Sequence, residues 1–195
     1  MTRSVHPIEQ ESYAILRSRV PTAALPRWTR AVVERVIHAS ADTGYADDLV
    51  CTEEALAAGA AALARGAPLV ADSAMVAAGI TSREALCRVS DPHALALAAQ
   101  AGLTRSAAGI AVAFAEAGPG AVWVVGTAPT ALAYLLSLGA APALVIGLPV
   151  GFVGAVEAKE ALRASGLPAL TNRSEKGGAA VAAAAVNALL YQEPA

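Results

Sequence analysis

Ala121-Val122-Trp123-Val124-Val125-Gly126, and after it Ala143-Leu144-Val145-Ile146-Gly147, decide how this chain folds. Each is a continuous apolar run with no polar alternation, the pattern of a strand covered on both faces. Both lie inside residues 117 to 156, which contain no charged side chain. A spanning helix needs about 20 consecutive apolar residues. Here Pro129, Pro142 and Pro149 leave Thr130 to Ala141, 12 residues, as the longest proline-free interior piece. Glu116 and Glu157 bound the run, where a membrane span would carry Lys or Arg. The stretch therefore reads as the buried centre of an α/β sheet.

Working outward, strand and helix alternate from residue 67 to the end. Downstream come a helix from Val153 to Ala164, a weaker strand at Pro168 to Asn172, and an alanine-rich helix from Ala179 to Leu190. Between the two apolar runs, Thr130 to Ser137 is helical. Upstream, Ala67 to Ala71 reads as a strand handing over at Asp72-Ser73, and Leu86 to Val89 as another. Asp91-Pro92 opens a helix to Gln100, and Thr104-Arg105-Ser106 opens one to Glu116. Residues 1–66 are helical instead. Ile8 to Arg19 places Ile8, Ile15 and Leu16 on one face. Pro26 starts a helix whose stripe of Trp28, Val32, Val36 and Ile37 ends at His38. Thr52 caps a third helix, Glu53 to Ala64, closed by Gly66. The expectation is one domain over residues 1–195, a three-layer α/β/α arrangement with a mainly parallel sheet.

Composition narrows the function. The chain has 195 residues, 56% hydrophobic but only 4% aromatic, so its interior is built from alanine, valine and leucine and its elements can approach closely. A net charge of −2 and a pI near 5.9 argue against nucleic acid as a partner, since no basic face is available to displace phosphate counterions. Cys51 and Cys87 stand 36 positions apart with no metal-ligand spacing around either. The start, Met1 to Pro7, has no apolar segment that would direct secretion, and two unpaired thiols suit the cytoplasm.

Ligands of parallel sheets bind beyond the carboxyl ends of the strands, so Asp72-Ser73, Asp91, Thr127 and the 147–154 loop are expected on one edge. His38 has to reach that edge to matter. Histidine, with an unperturbed pKa near 6.5, both holds and releases a proton near neutrality, and a helix C-terminus favours its charged form. The plain alternative is a helix-end cap. Thr104-Arg105-Ser106 suits a carboxylate, or is an N-cap with a solvated arginine. Asp72 is a site residue or an N-cap. Gly147 to Gly154 lacks dinucleotide spacing and is either an anion cradle or a packing turn. Asn172 to Gly178 reads as a second anion-friendly loop or a charged surface turn.

Read together, His6 to Arg17, Val36-Ile37-His38, Ala46-Asp47-Asp48-Leu49, Thr104 to Ala107 and Val145 to Ala155 resemble the precorrin-8X methylmutase family in order along nearly the whole chain. The resemblance implies a Rossmann-like homodimer that moves a methyl group from C-11 to C-12 of a tetrapyrrole in the cobalamin pathway. It puts the catalytic histidine on His38, and substrate contacts on Ser12 and Arg105. Arg17, Asp72, Thr104 and Ser106 complete the expected substrate-binding set. Thr127 stands where an asparagine is usual, and the segment after Ile80 is shorter than in some relatives. An intramolecular methyl shift implies no cofactor and no metal, only a held ring and a proton donor. Two other readings remain at this point: a corrinoid carrier without turnover, and a nucleotide-binding α/β enzyme using the 147–154 loop.

Overall fold

The computed structural model describes residues 6–191. Pro7–Arg19 (α1) and Arg27–Ser40 (α2) are followed by a short turn of helix, Tyr45–Asp48 (α3), and a three-residue strand, Leu49–Cys51 (β1). Glu53–Ala64 (α4) leads to Leu69–Ala71 (β2), Ala74–Gly79 (α5), Pro92–Ala101 (α6) and Arg105–Ala117 (α7). Val122–Val125 (β3), Pro129–Ser137 (α8), Leu144–Gly147 (β4), Ala155–Ala164 (α9), Ala169–Asn172 (β5) and Ala179–Tyr191 (α10) complete the chain. Among the described residues no helix is long and apolar enough to cross a membrane.

The strands form one sheet in the order β1-β5-β4-β3-β2, parallel except for β1, which runs antiparallel to β5 with Leu49 opposite Asn172. Successive side chains of a strand point to opposite faces, and the buried clusters divide accordingly. Leu69, Ala71, Val122, Val124, Leu144 and Ile146 face a core shared with α2, α4 and α10. Val70, Trp123, Val125 and Val145 face one shared with α7, α8 and α9. The result is three layers, with β3 and β4 fully buried in the middle.

Small residues set the spacing. A Cβ on Gly59 of α4 would lie 2.5 Å from Leu144, and one on Gly126 would lie 2.6 Å from Ala182 of α10, so only glycine lets these helices close on the sheet. Steric exclusion at those distances is far inside any real contact.

The structure departs from the sequence expectations at two places. Leu86 to Val89 makes a single bridge, Val70 with Leu86, and then leaves the sheet. Its next residues press on Gly109 of α7, where a Cβ would meet the Val89 backbone nitrogen at 3.0 Å, and Arg88 turns outward to Glu116. Strand β1 was not anticipated, because three residues are too few to show a period. Ile8, Ile15 and Leu16 do share one face of α1, and that face borders a cleft as well as the core. Leu16 is buried, but Ile8 is 70% and Ile15 46% exposed. Helix α1 is fastened to α2 by Leu16 in the shared core and by charge: Glu9 pairs with Arg35 at 2.7 Å, and Arg17 grips Glu34 with two hydrogen bonds of 3.0 and 2.7 Å.

Candidate active site

Helix α2 carries the apolar residues Val32, Val33, Val36 and Ile37 into the core, which leaves His38 half-buried at its last turn. The helix stops because Ala41 adopts a left-handed conformation, φ 55°, its N–H closing on the Ile37 carbonyl. Ser12 of α1 lies against His38, Oγ to Nδ1 at 2.8 Å. Tyr13 stacks on the imidazole with ring centroids 5.0 Å apart and planes 12° off parallel. The histidine ring is thus held from one side by a hydrogen bond and from another by an aromatic face. Around it opens a cleft of about 310 Å³ lined by Ile8, Glu11, Ser12, Ile15, Ile37 and His38, among others. The two exposed isoleucines of α1 are therefore walls of this cleft.

Glu34 determines where α1 sits. It accepts from Arg17, from Thr22 and from Arg30, the last at 2.9 Å. Burial alone would raise its pKa, but these donors outweigh burial and bring it down to about 2. Arg17 also lies over the Tyr13 ring, 5.5 Å from its centroid. Its guanidinium thus has partners inside the protein, and through them it sets the neighbours of His38.

Beyond His38 the chain turns onto the carboxyl edge of the sheet. Asp42 pairs at 2.8 Å with Lys176, which lies in the loop leaving the carboxyl end of β5. This pair ties the segment after His38 to the loop at that edge.

Asp72 is 2% exposed, and it is not the helix cap, because Ser73 fills that role for α5. Its carboxylate accepts from the backbone N–H groups of Gly126, Thr127 and Ala128 at 3.1, 2.9 and 3.0 Å, fixing the turn after β3. Burial raises its pKa, and the three amides only partly offset this. Thr127 bonds through its hydroxyl to Ser73 at 2.7 Å. Thr104 caps α7, accepting from the Ala107 N–H, and its hydroxyl meets that of Thr130 at 2.8 Å. Thr130 belongs to the first turn of α8, just past the carboxyl end of β3. Thr104 and the exposed Arg105 beside it, with Ser106, consequently stand at the same edge but in the layer opposite His38.

The 172–178 loop does bind an anion, and it is the protein's own. Asp48 accepts from the Arg173 and Ser174 N–H groups, from the Ser174 hydroxyl and from the Asn172 amide. The 147–154 loop docks on the same segment, with the Gly151 N–H donating to the Glu175 carbonyl and the Gly178 N–H to that of Leu148. Tyr13 and Glu34 escaped the sequence reading. An acid between Val33 and Val36 in an apolar stripe was the available signal for Glu34.

The family model for precorrin-8X methylmutase matches residues 7–192. The chain belongs to the precorrin-8X methylmutase family. It is similar to the precorrin-8X methylmutase of Pseudomonas aeruginosa, 43% identical over 93% of each chain. It is also similar to the cobalt-precorrin-8 methylmutase of Salmonella typhimurium, 42% identical over 83% of this chain and 80% of that one. A crystal structure of precorrin-8X methyl mutase from Thermus thermophilus superposes with a TM-score of 0.85 at 34% identity, covering 94% of this chain and 93% of that one. Precorrin-8X methylmutases thus share the layer order derived above.

Proposed function

We propose that this protein is an isomerase that moves a methyl group from C-11 to C-12 of precorrin-8X, or of its cobalt form, giving hydrogenobyrinic or cobyrinic acid. In this reading it works in the cytoplasm as a homodimer, in cobalamin biosynthesis. The observation that carries the reading is the Ser12–His38 contact of 2.8 Å in the apolar-walled cleft, in a chain of this family.

His38 is the proton donor. Protonating the conjugated ring polarises it, the bond from C-11 to the methyl carbon breaks as the bond to C-12 forms, and the histidine recovers its proton. Ser12 serves this cycle by accepting from Nδ1–H, which keeps that proton on Nδ1 in both charge states. Exchange with the ring then runs through Nε2. Ile8 and Ile15 give one edge of a flat, apolar macrocycle a matching wall. Arg105, with the hydroxyls of Thr104 and Ser106, takes carboxylate arms of the substrate. Arg17 and Asp72 enter at one remove, the first by seating Ser12 and Tyr13, the second by shaping the turn after β3.

His38→Ala removes a polar tip beside the core and not core volume, so the variant is expected to fold. It should convert precorrin-8X about 10²–10⁴ times more slowly, followed by the absorbance change as conjugation extends. Turnover near the wild-type rate would reject His38 as the acid. Stoichiometric capture of the corrinoid by wild-type protein with no methyl migration would make the protein a carrier.

A further inference from the structure

Lys159 of α9 has none of its surface exposed and takes no part in the cleft. Its ammonium donates to the carbonyl oxygens of Ser174 at 2.7 Å and Lys176 at 2.5 Å. The N–H groups of the same loop go the other way, Arg173 and Ser174 donating to Asp48 at 3.0 and 2.8 Å. Residues 173–176 are therefore held between a buried cation on their carbonyls and a carboxylate on their amides. The Asn172 amide donates to the same two carbonyls, at 3.3 and 3.0 Å, and the Gly151 N–H to that of Glu175, so the two ions share the loop with these neutral donors.

The loop in turn holds the end of α2. Lys176 reaches out to Asp42, whose other carboxylate oxygen accepts from the Gly44 N–H at 2.9 Å, and Asp42 follows His38 by four residues. We infer that Lys159 is a positioning residue for His38: through the 173–176 loop and the Lys176–Asp42 pair it sets the C-terminal end of α2, and with it the seat of His38 against Ser12. The catalytic half of this inference rests on the proposed role of His38; the geometric half does not.

A role as a simple staple fits poorly. Burial lowers the Lys159 pKa to about 8, with Arg163 adding to the effect and Asp48 and Glu175 opposing it. The unfolded chain then binds more protons between about pH 8 and the ordinary lysine value of 10.5, so this group adds stability as pH rises through that window. At neutral pH the charged lysine is a burden on the fold. An apolar side chain of similar volume relieves that burden but takes a donor from the Ser174 and Lys176 carbonyls.

The experiment follows the His38 ring protons by NMR, feasible with three histidines in the chain, alongside kcat and KM. In Lys159→Met the His38 titration curve should move and kcat should fall about 10–100-fold, with KM less affected. Lys176→Met, at the exposed surface pair, should move His38 in the same direction. The double variant should be no worse than Lys159→Met alone. Wild type should also show an inflection of the His38 signals near pH 8 that Lys159→Met lacks. An unchanged His38 curve in Lys176→Met overturns the route even where Lys159→Met does not fold. Independent, multiplying losses in the double variant overturn it too. A shifted His38 curve together with full turnover in His38→Ala would retain the positioning and reject the proposed catalysis.

Discussion

Glu34, at the junction of α1 and α2, and Asp72, at the carboxyl edge of the sheet, are both carboxylates with 5% or less of their surface exposed. Their surroundings drive them apart. Burial raises both, but Glu34 faces two guanidinium groups and a hydroxyl and ends at about 2, whereas Asp72 has backbone amides and stays above the usual aspartate range. Full charges compensate a buried anion where peptide dipoles do so only in part. The helix that presents Ser12 is held by ion pairs, and the turn bearing Thr127 is held by a carboxylate that the fold keeps at some expense.

The largest effect in stability is expected from Glu34→Gln. It leaves Arg17, Thr22 and Arg30 around a neutral amide and should cost about 2–4 kcal/mol, reduced by the partial exposure of both arginines. Denaturant melts measure the loss, and hydrogen exchange should find it concentrated in α1. A loss spread evenly over the sheet would mean that Glu34 does not act through the seat of α1. Asp72→Asn should cost less, about 1–3 kcal/mol. An amide oxygen can still serve Thr127 and Ala128, while its NH₂ meets the Gly126 N–H.

The two sites should also differ in the sign of their pH dependence. Glu34 has a folded pKa below its unfolded value, so its contribution is complete above about pH 4.5 and lost as pH falls toward 2. Asp72 has a raised folded pKa, so it favours folding as pH falls through that value toward 3.8. Comparing acid melts of wild type with each variant sharpens this. Glu34→Gln should flatten the acid loss, and Asp72→Asn should steepen it. The smallest effect is expected for Ser12→Ala, which removes one hydrogen bond worth about 0.5–1.5 kcal/mol and should lower the melting temperature by a few degrees at most while slowing turnover roughly 3–10-fold. A loss as large as that of His38→Ala would mean that Ser12 itself touches the reacting atoms.

The layers of this protein were legible because burial on both faces leaves a direct mark: Val122 to Val125 and Leu144 to Gly147 are apolar without interruption. Leu86 to Val89 carries a similar mark and misleads, since the same residues serve as well in a segment lying on α7. His38 was visible as a polar residue closing an apolar stripe, and the family resemblance named Ser12. Nothing local tied Ser12 to His38, because the contact spans 26 residues and depends on how α1 is docked. That docking is electrostatic in part, and a charge on a helix carries no information about which distant charge it will meet.

The three layers, the parallel core, the helix that carries His38 in its last turn and the family were all written in the chain, since each rests on short-range periodicity or on motifs read in order. The tertiary structure decided that Arg17 grips Glu34, that Asp48 and Lys159 hold one loop between them, and that Arg105 stands in the layer opposite His38. These depend on which groups desolvation brings together, and a buried charge takes its partner from whatever the fold places within about 3 Å of it.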